Sequence, residues 1–119
     1  MHLTADLHGC SAAELLVDCD ALRALSLRAV AEAGLTPVAD LFHPFGAGSG
    51  VTGVVLLSES HLALHTWPEL AAVTLDVYVC NRQVDNTERA AALLEALERA
   101  FAPARCERHR VQRGALAPG

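Results

Sequence analysis

The stretch LLSESHLALHTWPE, residues 56–69, interrupts the most apolar strand pattern of the chain with reactive side chains. Residues 51–59, VTGVVLLSE, predict a strand because β-branched and aliphatic residues dominate them. Residues 62–67, LALHTW, predict a continuation of that strand or a second strand paired beside it. Two serines, two glutamates, two histidines and a tryptophan fall within these 14 residues. The segment that organises the sheet is therefore also the first place to look for a functional site.

Two helices are predicted on either side of this stretch. Ser11 and Glu14 form a capping-box pattern, and apolar residues follow them at helical spacing. A second helix is predicted over residues 87–101, where Asn86 or Thr87 could serve as the N-cap.

The remaining segments predict strands. They cover residues 2–8, 36–44, 51–59, 62–67, 72–80 and 105–112. The order β-α-β-β-β-β-α-β indicates a single domain, residues 1–119, with an α/β (α+β) fold. We expect a two-layer sandwich made of a mainly antiparallel sheet with two helices on one face.

Composition excludes several functional classes. Nine basic residues stand against 14 acidic ones, and this charge of −5 argues against nucleic-acid binding, which depends on a basic surface. All nine basic residues are arginine, so a lysine Schiff base to pyridoxal phosphate is excluded. No apolar run approaches the roughly 20 residues that span a bilayer, and no signal-peptide pattern is present. We therefore expect a cytoplasmic protein with neither a nucleic-acid nor a membrane partner.

Two familiar kinds of site fit the opening stretch poorly. A triad of Ser58 or Ser60 with His65 and Asp76 lacks the GxSxG elbow that would support it. On an extended strand, His61 and His65 would lie about 13 Å apart at roughly 3.3 Å per residue, too far to share a metal ion. The four cysteines are widely spaced and form no CxxC pair, so neither a metal site nor a disulfide is expected.

Ser60, preceded by Glu59, offers a different chemistry. Its hydroxyl can attack the Glu59 carbonyl carbon, which turns the peptide bond into an ester. β-Elimination then breaks the chain and leaves dehydroalanine, which hydrolyses to a pyruvoyl group. The resulting ketone can form a Schiff base with an amino acid and act as an electron sink, as pyridoxal phosphate does.

The residues around Ser60 closely resemble a known family. ESHLALHTWPE, with VTGVV before it and LDVYVC after it, is similar to the short, self-processing prokaryotic S-adenosylmethionine decarboxylase proenzymes. The likeness covers nearly the whole chain, because the DLHGC start and the FHPF turn also fall in the family's order. The resemblance implies a pyruvoyl-dependent decarboxylase that makes the aminopropyl donor for spermidine and polyamine synthesis.

The resemblance implies where the chain is cut. Cleavage falls between Glu59 and Ser60, which gives a β chain of residues 1–59 and an α chain of residues 60–119. The pyruvoyl group made from Ser60 is then the cofactor, and neither pyridoxal phosphate nor a metal is implied.

Three further residues have implied roles in this chemistry. His65 is implied to take the serine α-proton during elimination, which suits a base with a pKa near neutral. Cys80 is implied to donate a proton to the decarboxylated carbon, since an ordinary thiol with a pKa of about 8.5 is protonated at pH 7. Thr52 stands where the family commonly has a serine that assists processing, and it keeps the hydroxyl.

Strand geometry makes a prediction about this constellation. On a straight strand, Ser60 and His65 would face opposite sides and lie about 16 Å apart. They can cooperate only if the chain bends between them or if packing across a dimer brings them together. We therefore predict a break at Glu59–Ser60, since a regularly paired strand over 54–66 would argue against self-processing.

The resemblance also implies the substrate contacts. Adenine would stack between an aromatic ring and the motif histidine, while a glutamate would hold the ribose hydroxyls. The matching positions are Phe45, Leu62, His65, Trp67 and Glu69.

Two departures from the family pattern lie near these positions. The linker between Phe45 and Thr52 is one residue longer than usual, and Leu70 and Ala72 stand where the family typically has tyrosines. A second hypothesis therefore keeps the pyruvoyl chemistry but takes L-ornithine or L-arginine as substrate. Such a cationic substrate needs an acidic pocket. The candidate carboxylates are Asp40, Glu69 and Asp76.

The oligomeric state is also implied by the resemblance, and a third hypothesis concerns a protein that does not cleave itself. The resemblance implies a homodimer of cleaved protomers with sites formed partly across the interface, and a small domain with a half-buried sheet commonly gains core by pairing. A non-catalytic alternative is a small α/β subunit that regulates a partner without cleaving itself.

Overall fold

The computed structural model describes residues 1–82 and 84–113, and a six-stranded antiparallel sheet organises this part of the chain. The strands are β1 (His2–His8), β2 (Pro37–Pro44), β3 (Val51–Leu57), β4 (Ser60–Trp67), β5 (Ala72–Tyr78) and β6 (Arg105–Val111), and they lie in the order β2-β3-β4-β5-β1-β6. Two helices, α1 (Cys19–Glu32) and α2 (Thr87–Phe101), pack on one face of the sheet. The two-layer α+β sandwich predicted from the sequence is confirmed.

Alternation of side chains gives the sheet two different faces. On β5, Val73, Leu75 and Val77 are buried beneath the helices, whereas Thr74 and Asp76 point the other way and are only partly covered. Strands β3 and β4 alternate in the same manner. We call the side without helices the open face. Among the described residues, neither helix is long and apolar enough to cross a bilayer.

The first helix begins later than the sequence predicts. The capping box of Ser11 and Glu14 does not form, because the Ser11 hydroxyl donates to the carbonyl of Ala102 (3.2 Å). The N-cap is instead Asp18, whose carboxylate accepts the backbone N–H of Ala21 at 2.9 Å. A tertiary contact with the end of α2 therefore overrides the local capping pattern.

The second helix covers the predicted residues but is capped differently. Asn86 makes no side-chain capping bond, and the carboxylate of Asp85 accepts the backbone N–H of Thr87 at 2.9 Å. Hydrogen bonds from the Thr87 side chain and backbone lower the pKa of Asp85. The capping carboxylate therefore stays ionised to a lower pH than an ordinary aspartate would.

The predicted break at Glu59–Ser60 is confirmed as a tight hairpin turn. β3 ends at Leu57, which pairs directly with Ser60 at the start of β4. The strand predicted over 51–59 therefore ends two residues early, and the strand predicted over 62–67 begins two residues early. The last strands also stop short of prediction, at residues 78 and 111.

A buried threonine fixes the other end of this hairpin. Thr66 is 4% exposed, and its hydroxyl accepts the backbone N–H of Val51 (2.8 Å) and donates to the carbonyl of Leu16 (2.7 Å). Gly50 packs so tightly here that a Cβ atom would lie 2.1 Å from the Thr66 carbonyl oxygen. The loop after β2 is therefore clamped to the end of β4.

Truncation of a core leucine tests this packing. Leu75→Ala should lower the free energy of unfolding by about 2–5 kcal/mol, because it leaves a cavity where a side chain is 2% exposed. Leu70, at 69% exposure, provides the matched control, and its replacement by alanine should cost no more than about 0.5 kcal/mol. Urea denaturation measures both changes, and each variant also carries Ser60→Ala so that the cleavage expected at Ser60 does not interfere. Equal losses at the two positions would contradict the assigned core.

Candidate active site

Ser60 and Cys80 lie together at the hairpin end of β4. The Ser60 Oγ atom accepts the backbone N–H of Cys80 at 3.1 Å, just beyond the end of β5. Both residues are half-buried. This hydrogen bond orients the Oγ atom through one of its lone pairs and leaves the hydroxyl hydrogen free for transfer. The structure therefore brings two of the sequence-predicted residues into contact.

Glu59 places the bond before Ser60 in a strained turn. Its φ angle of 57° lies in the left-handed region, which costs a non-glycine residue on the order of 1–3 kcal/mol. Attack of Oγ on the adjoining carbonyl carbon closes a five-membered ring, so it needs only local rotation about Ser60. Strain in this turn favours breaking the peptide bond, and the oriented hydroxyl is the nucleophile. Both would assist an intramolecular acyl shift.

Thr52 and His65 form a second pair, on the open face. They are direct cross-strand partners on β3 and β4, and the Thr52 Oγ1 and His65 Nδ1 atoms are 2.9 Å apart. The His65 side chain is exposed, so its Nε2 atom can act on another molecule. For Nε2 to accept a proton, Nδ1 must carry the ring hydrogen and donate it to the threonine hydroxyl.

The two pairs are far apart within one protomer. Ser60 is the cross-strand partner of the buried Leu57, and strand alternation places it on the helix-covered side of β4. His65 points to the open face. Five residues of regular strand separate them, a distance of about 16 Å. The break at Glu59–Ser60 therefore does not bring His65 to its own Ser60.

Most of the predicted substrate residues cluster near the Thr52–His65 pair. Trp67 lies two residues beyond His65, with ring centroids 5.8 Å apart, and Glu69 follows in a short 3₁₀ turn. Phe45 follows β2 at the same end of the sheet and is 61% exposed. Leu62 differs, because its side chain is 1% exposed in the core, so only its backbone can face a ligand.

The carboxylates proposed for a cationic substrate do not form one pocket. Asp40 pairs with Val55 on the helix-covered face, and its Oδ1 atom accepts from Arg23 Nε at 2.7 Å. Asp76 lies on the open face and is hydrogen-bonded to His2. Two of the three candidate carboxylates are therefore on opposite sides of the sheet.

The shared position of the histidines on the open face was not predicted from the sequence. By strand register, all six histidines of the chain lie there: His2, His8, His43, His61, His65 and His109. The His61 ring stacks on Tyr78 at 5.7 Å, and its Nε2 atom is 3.8 Å from Asp76 Oδ1. Along each predicted strand, these histidines alternate with the residues that face the core, and this alternation could have predicted their common face.

Another polar group on the same face was not foreseen. Asp6, Glu107 and His109, on the neighbouring strands β1 and β6, bring their potential ligand atoms within 4.8 Å of one another. These residues are exposed or half-buried, and they lie on strands far apart in the sequence. Spacing along the chain could therefore not reveal them.

The cysteines have different surroundings. All four are free thiols. Burial raises the pKa of Cys10, Cys19 and Cys106, so these three thiols hold their protons at neutral pH. Of the four cysteines, Cys80 is the one that contacts Ser60.

Comparison with known proteins identifies the class and then the family. The fold is that of the S-adenosylmethionine decarboxylases, which are pyruvoyl-dependent lyases. Residues 1–114 match the family model described as S-adenosylmethionine decarboxylase. The chain therefore belongs to the S-adenosylmethionine decarboxylase family.

Individual relatives agree over most of the chain. An S-adenosylmethionine decarboxylase proenzyme of Moorella thermoacetica is 37% identical over 117 residues, which is 98% of this chain and 89% of the relative. One of Carboxydothermus hydrogenoformans is 43% identical over 84 residues, 71% of this chain and 65% of the relative. The crystal structure of the adenosylmethionine decarboxylase from Aquifex aeolicus superposes with a TM-score of 0.85 at 31% identity, covering 99% of this chain and 92% of that one.

The Thr52–His65 hydrogen bond predicts an effect on chain cleavage. Thr52→Val should slow cleavage about 10-fold or more, because it removes the hydroxyl that holds His65 Nδ1 while keeping the β-branched shape. Thr52→Ser should cleave at close to the wild-type rate. The rate is measured by following the appearance of two fragments on denaturing gels after synthesis. Equal rates in the valine and serine variants would show that the hydroxyl is not used.

Proposed function

We propose that this chain is the proenzyme of a pyruvoyl-dependent S-adenosylmethionine decarboxylase and that it cleaves itself between Glu59 and Ser60. The observation that carries the proposal is the Ser60 hydroxyl, held by the Cys80 N–H beside a strained bond at a strand break. Family membership supports the same reaction.

Processing changes the covalent structure in three steps. The Ser60 Oγ atom attacks the Glu59 carbonyl carbon, the C–N bond breaks, and the nitrogen takes the hydroxyl proton. A base then removes the Ser60 α-proton while the Cβ–Oγ bond breaks, so Oγ leaves as an oxygen of the Glu59 carboxylate. The remaining dehydroalanine takes up one water and releases ammonia, which yields the pyruvoyl group.

Residues beside position 60 fit the chemistry that follows. The pyruvoyl group would supply an electron sink for the loss of carbon dioxide from a bound amino acid. Cys80 contacts residue 60 through its backbone N–H, and we assign to its thiol the protonation of the carbon that loses the carboxylate. This residue is the candidate proton donor of the proposed site.

The base for α-proton removal comes, in this proposal, from a second copy of the chain. His65 cannot reach Ser60 of its own protomer, because strand alternation and about 16 Å separate them. A two-fold dimer would instead bring the Thr52–His65 pair of one protomer to the hairpin end of β4 in the other, where Ser60 and Cys80 lie. Because a two-fold interface is reciprocal, it creates two identical sites.

The surface of the open face supports this pairing. Large apolar side chains stand there without cover: Leu41 is 69% exposed, Leu56 48% and Trp67 37%. The helices already shield the opposite face, so a second sheet is the natural cover for this one. Apolar surface of this kind marks an interaction site rather than a solvated face.

S-adenosylmethionine is the substrate that this site suits best. The exposed rings of Phe45 and Trp67 lie at the same end of the sheet as His65, and this aromatic corner can stack on adenine. An ornithine or arginine side chain would need converging carboxylates, but Asp40 and Asp76 lie on opposite faces. The product would feed polyamine synthesis, and we place the reaction in the cytoplasm.

Denaturing mass spectrometry tests self-cleavage. The wild-type chain, 12.6 kDa when intact, should give two fragments whose masses add to that of the chain plus one water and less one ammonia. Ser60→Ala should stay whole and release no carbon dioxide from S-adenosylmethionine, whereas wild-type protein should release it from this substrate in preference to ornithine or arginine. An uncleaved wild-type chain after long incubation would instead favour the regulatory-subunit hypothesis.

Complementation between two inactive variants tests the shared site. Ser60→Ala lacks the serine and His65→Ala lacks the base, so neither should cleave alone. In a mixed dimer, Ser60 of the His65→Ala chain meets an intact His65, so that chain alone should be cut. Co-expression with two different affinity tags, followed by mass analysis of the purified mixed dimer, provides the measurement.

A matched control uses the double variant Ser60→Ala/His65→Ala as the partner of His65→Ala. This mixed dimer has no intact His65 and should stay whole. An uncut His65→Ala chain in the first mixed dimer, or its cleavage in the control, would overturn the shared site.

A further inference from the structure

His43 lies beside the candidate site but has no role in the scheme above. It is an exposed residue of β2 on the open face and is the direct cross-strand partner of Thr52. Its ring meets the ring of Phe45 edge to face, with centroids 4.8 Å apart and planes at 76°. Aromatic pairs in this arrangement attract one another beyond simple area burial.

The backbone and the ring of Phe45 are held by different contacts. The residue follows the last residue of β2 and its side chain is 61% exposed. The loop that follows turns back through Gly46 and Gly48, both at positive φ, and closes when the Phe45 N–H donates to the Gly50 carbonyl at 3.0 Å. The backbone of Phe45 is thus fixed, while its ring packs edge to face with the imidazole of His43.

We propose that His43 is a positioning residue that holds the Phe45 ring in the orientation needed to stack on the adenine of the substrate. This inference rests on the proposed function, in which Phe45 contacts the nucleoside. His43 itself touches neither the reacting atoms nor Ser60, and it acts through Phe45. Its effect should therefore fall on substrate affinity and not on chain cleavage or the chemical step.

The other contacts near His43 explain why its loss should affect substrate affinity and not chain cleavage. The hydroxyl of Thr52 bonds to His65 on β4, on the side of Thr52 away from His43. Thr66 and Gly50 hold the end of β4 independently of β2 side chains. Loss of the His43 ring consequently leaves the processing pair and the corner backbone in place.

Three substitutions test the proposal through steady-state kinetics with S-adenosylmethionine. His43→Ala and His43→Asn both remove the ring and should raise KM about 3- to 10-fold, with kcat and the extent of cleavage within about twofold of wild type. His43→Phe keeps a ring edge against Phe45 and should restore KM to within about twofold. An asparagine that rescued as well as phenylalanine would contradict a packing role.

A double-mutant cycle measures whether His43 and Phe45 act on KM together. Phe45→Ala should raise KM by at least as much as His43→Ala, and adding His43→Ala to it should cause no further increase. Additive effects on KM would overturn the proposal, because they would show that His43 acts without Phe45. His8→Ala removes an imidazole of the same open face, on β1, and should leave KM unchanged.

The outcome for wild-type protein separates this inference from the proposed function. If the wild-type chain neither cleaves nor decarboxylates S-adenosylmethionine, the proposed function fails. If wild type is active and His43→Ala has the same KM, the proposed function stands and the role of His43 is refuted. A fall in both kcat and cleavage that phenylalanine does not rescue would likewise refute it.

Discussion

The alternation of side chains along β4 is the constraint on which the rest of the site depends. A strand sends successive residues to opposite faces, so positions 60 and 65 cannot point the same way while the ladder is intact. Regular pairing with β3 on one side and β5 on the other keeps that ladder intact. If Ser60 and His65 act together in the proposed self-processing, His65 must therefore come from a second molecule. The proposal of a shared site rests on this backbone geometry.

The two helices cover one face of the sheet and leave the open face accessible. They bury one side of the sheet in a continuous apolar core, so the polar and aromatic side chains gather on the other side. The six histidines, the aromatic corner and the exposed leucines all follow from this division. In a small domain with one core, the surface left without helices is the one available for both assembly and chemistry.

Much of this arrangement was predictable from the sequence, because apolar periodicity reports burial directly. Strand identities and the extent of α2 were visible in local patterns, whereas the break at Glu59–Ser60 was predicted from the roles that the family resemblance implies for Ser60 and His65. The start of α1 was not, since the Ser11–Glu14 capping box is a valid local signal that a contact with Ala102 defeats. Nor could spacing reveal the backbone bond from Cys80 to Ser60, or the burial of Leu62, because both depend on register between strands.

The strand order has a consequence for the cleaved protein. Residues 1–59 supply β1, β2 and β3, and residues 60–119 supply β4, β5 and β6. In the sheet, however, β1 lies between β5 and β6, so the two fragments interleave instead of lying side by side. Three ladders, β3–β4, β5–β1 and β1–β6, would join the fragments after the cut. If the chain is cleaved as proposed, neither fragment could dissociate without breaking these inner ladders, so the two fragments would stay folded as one unit.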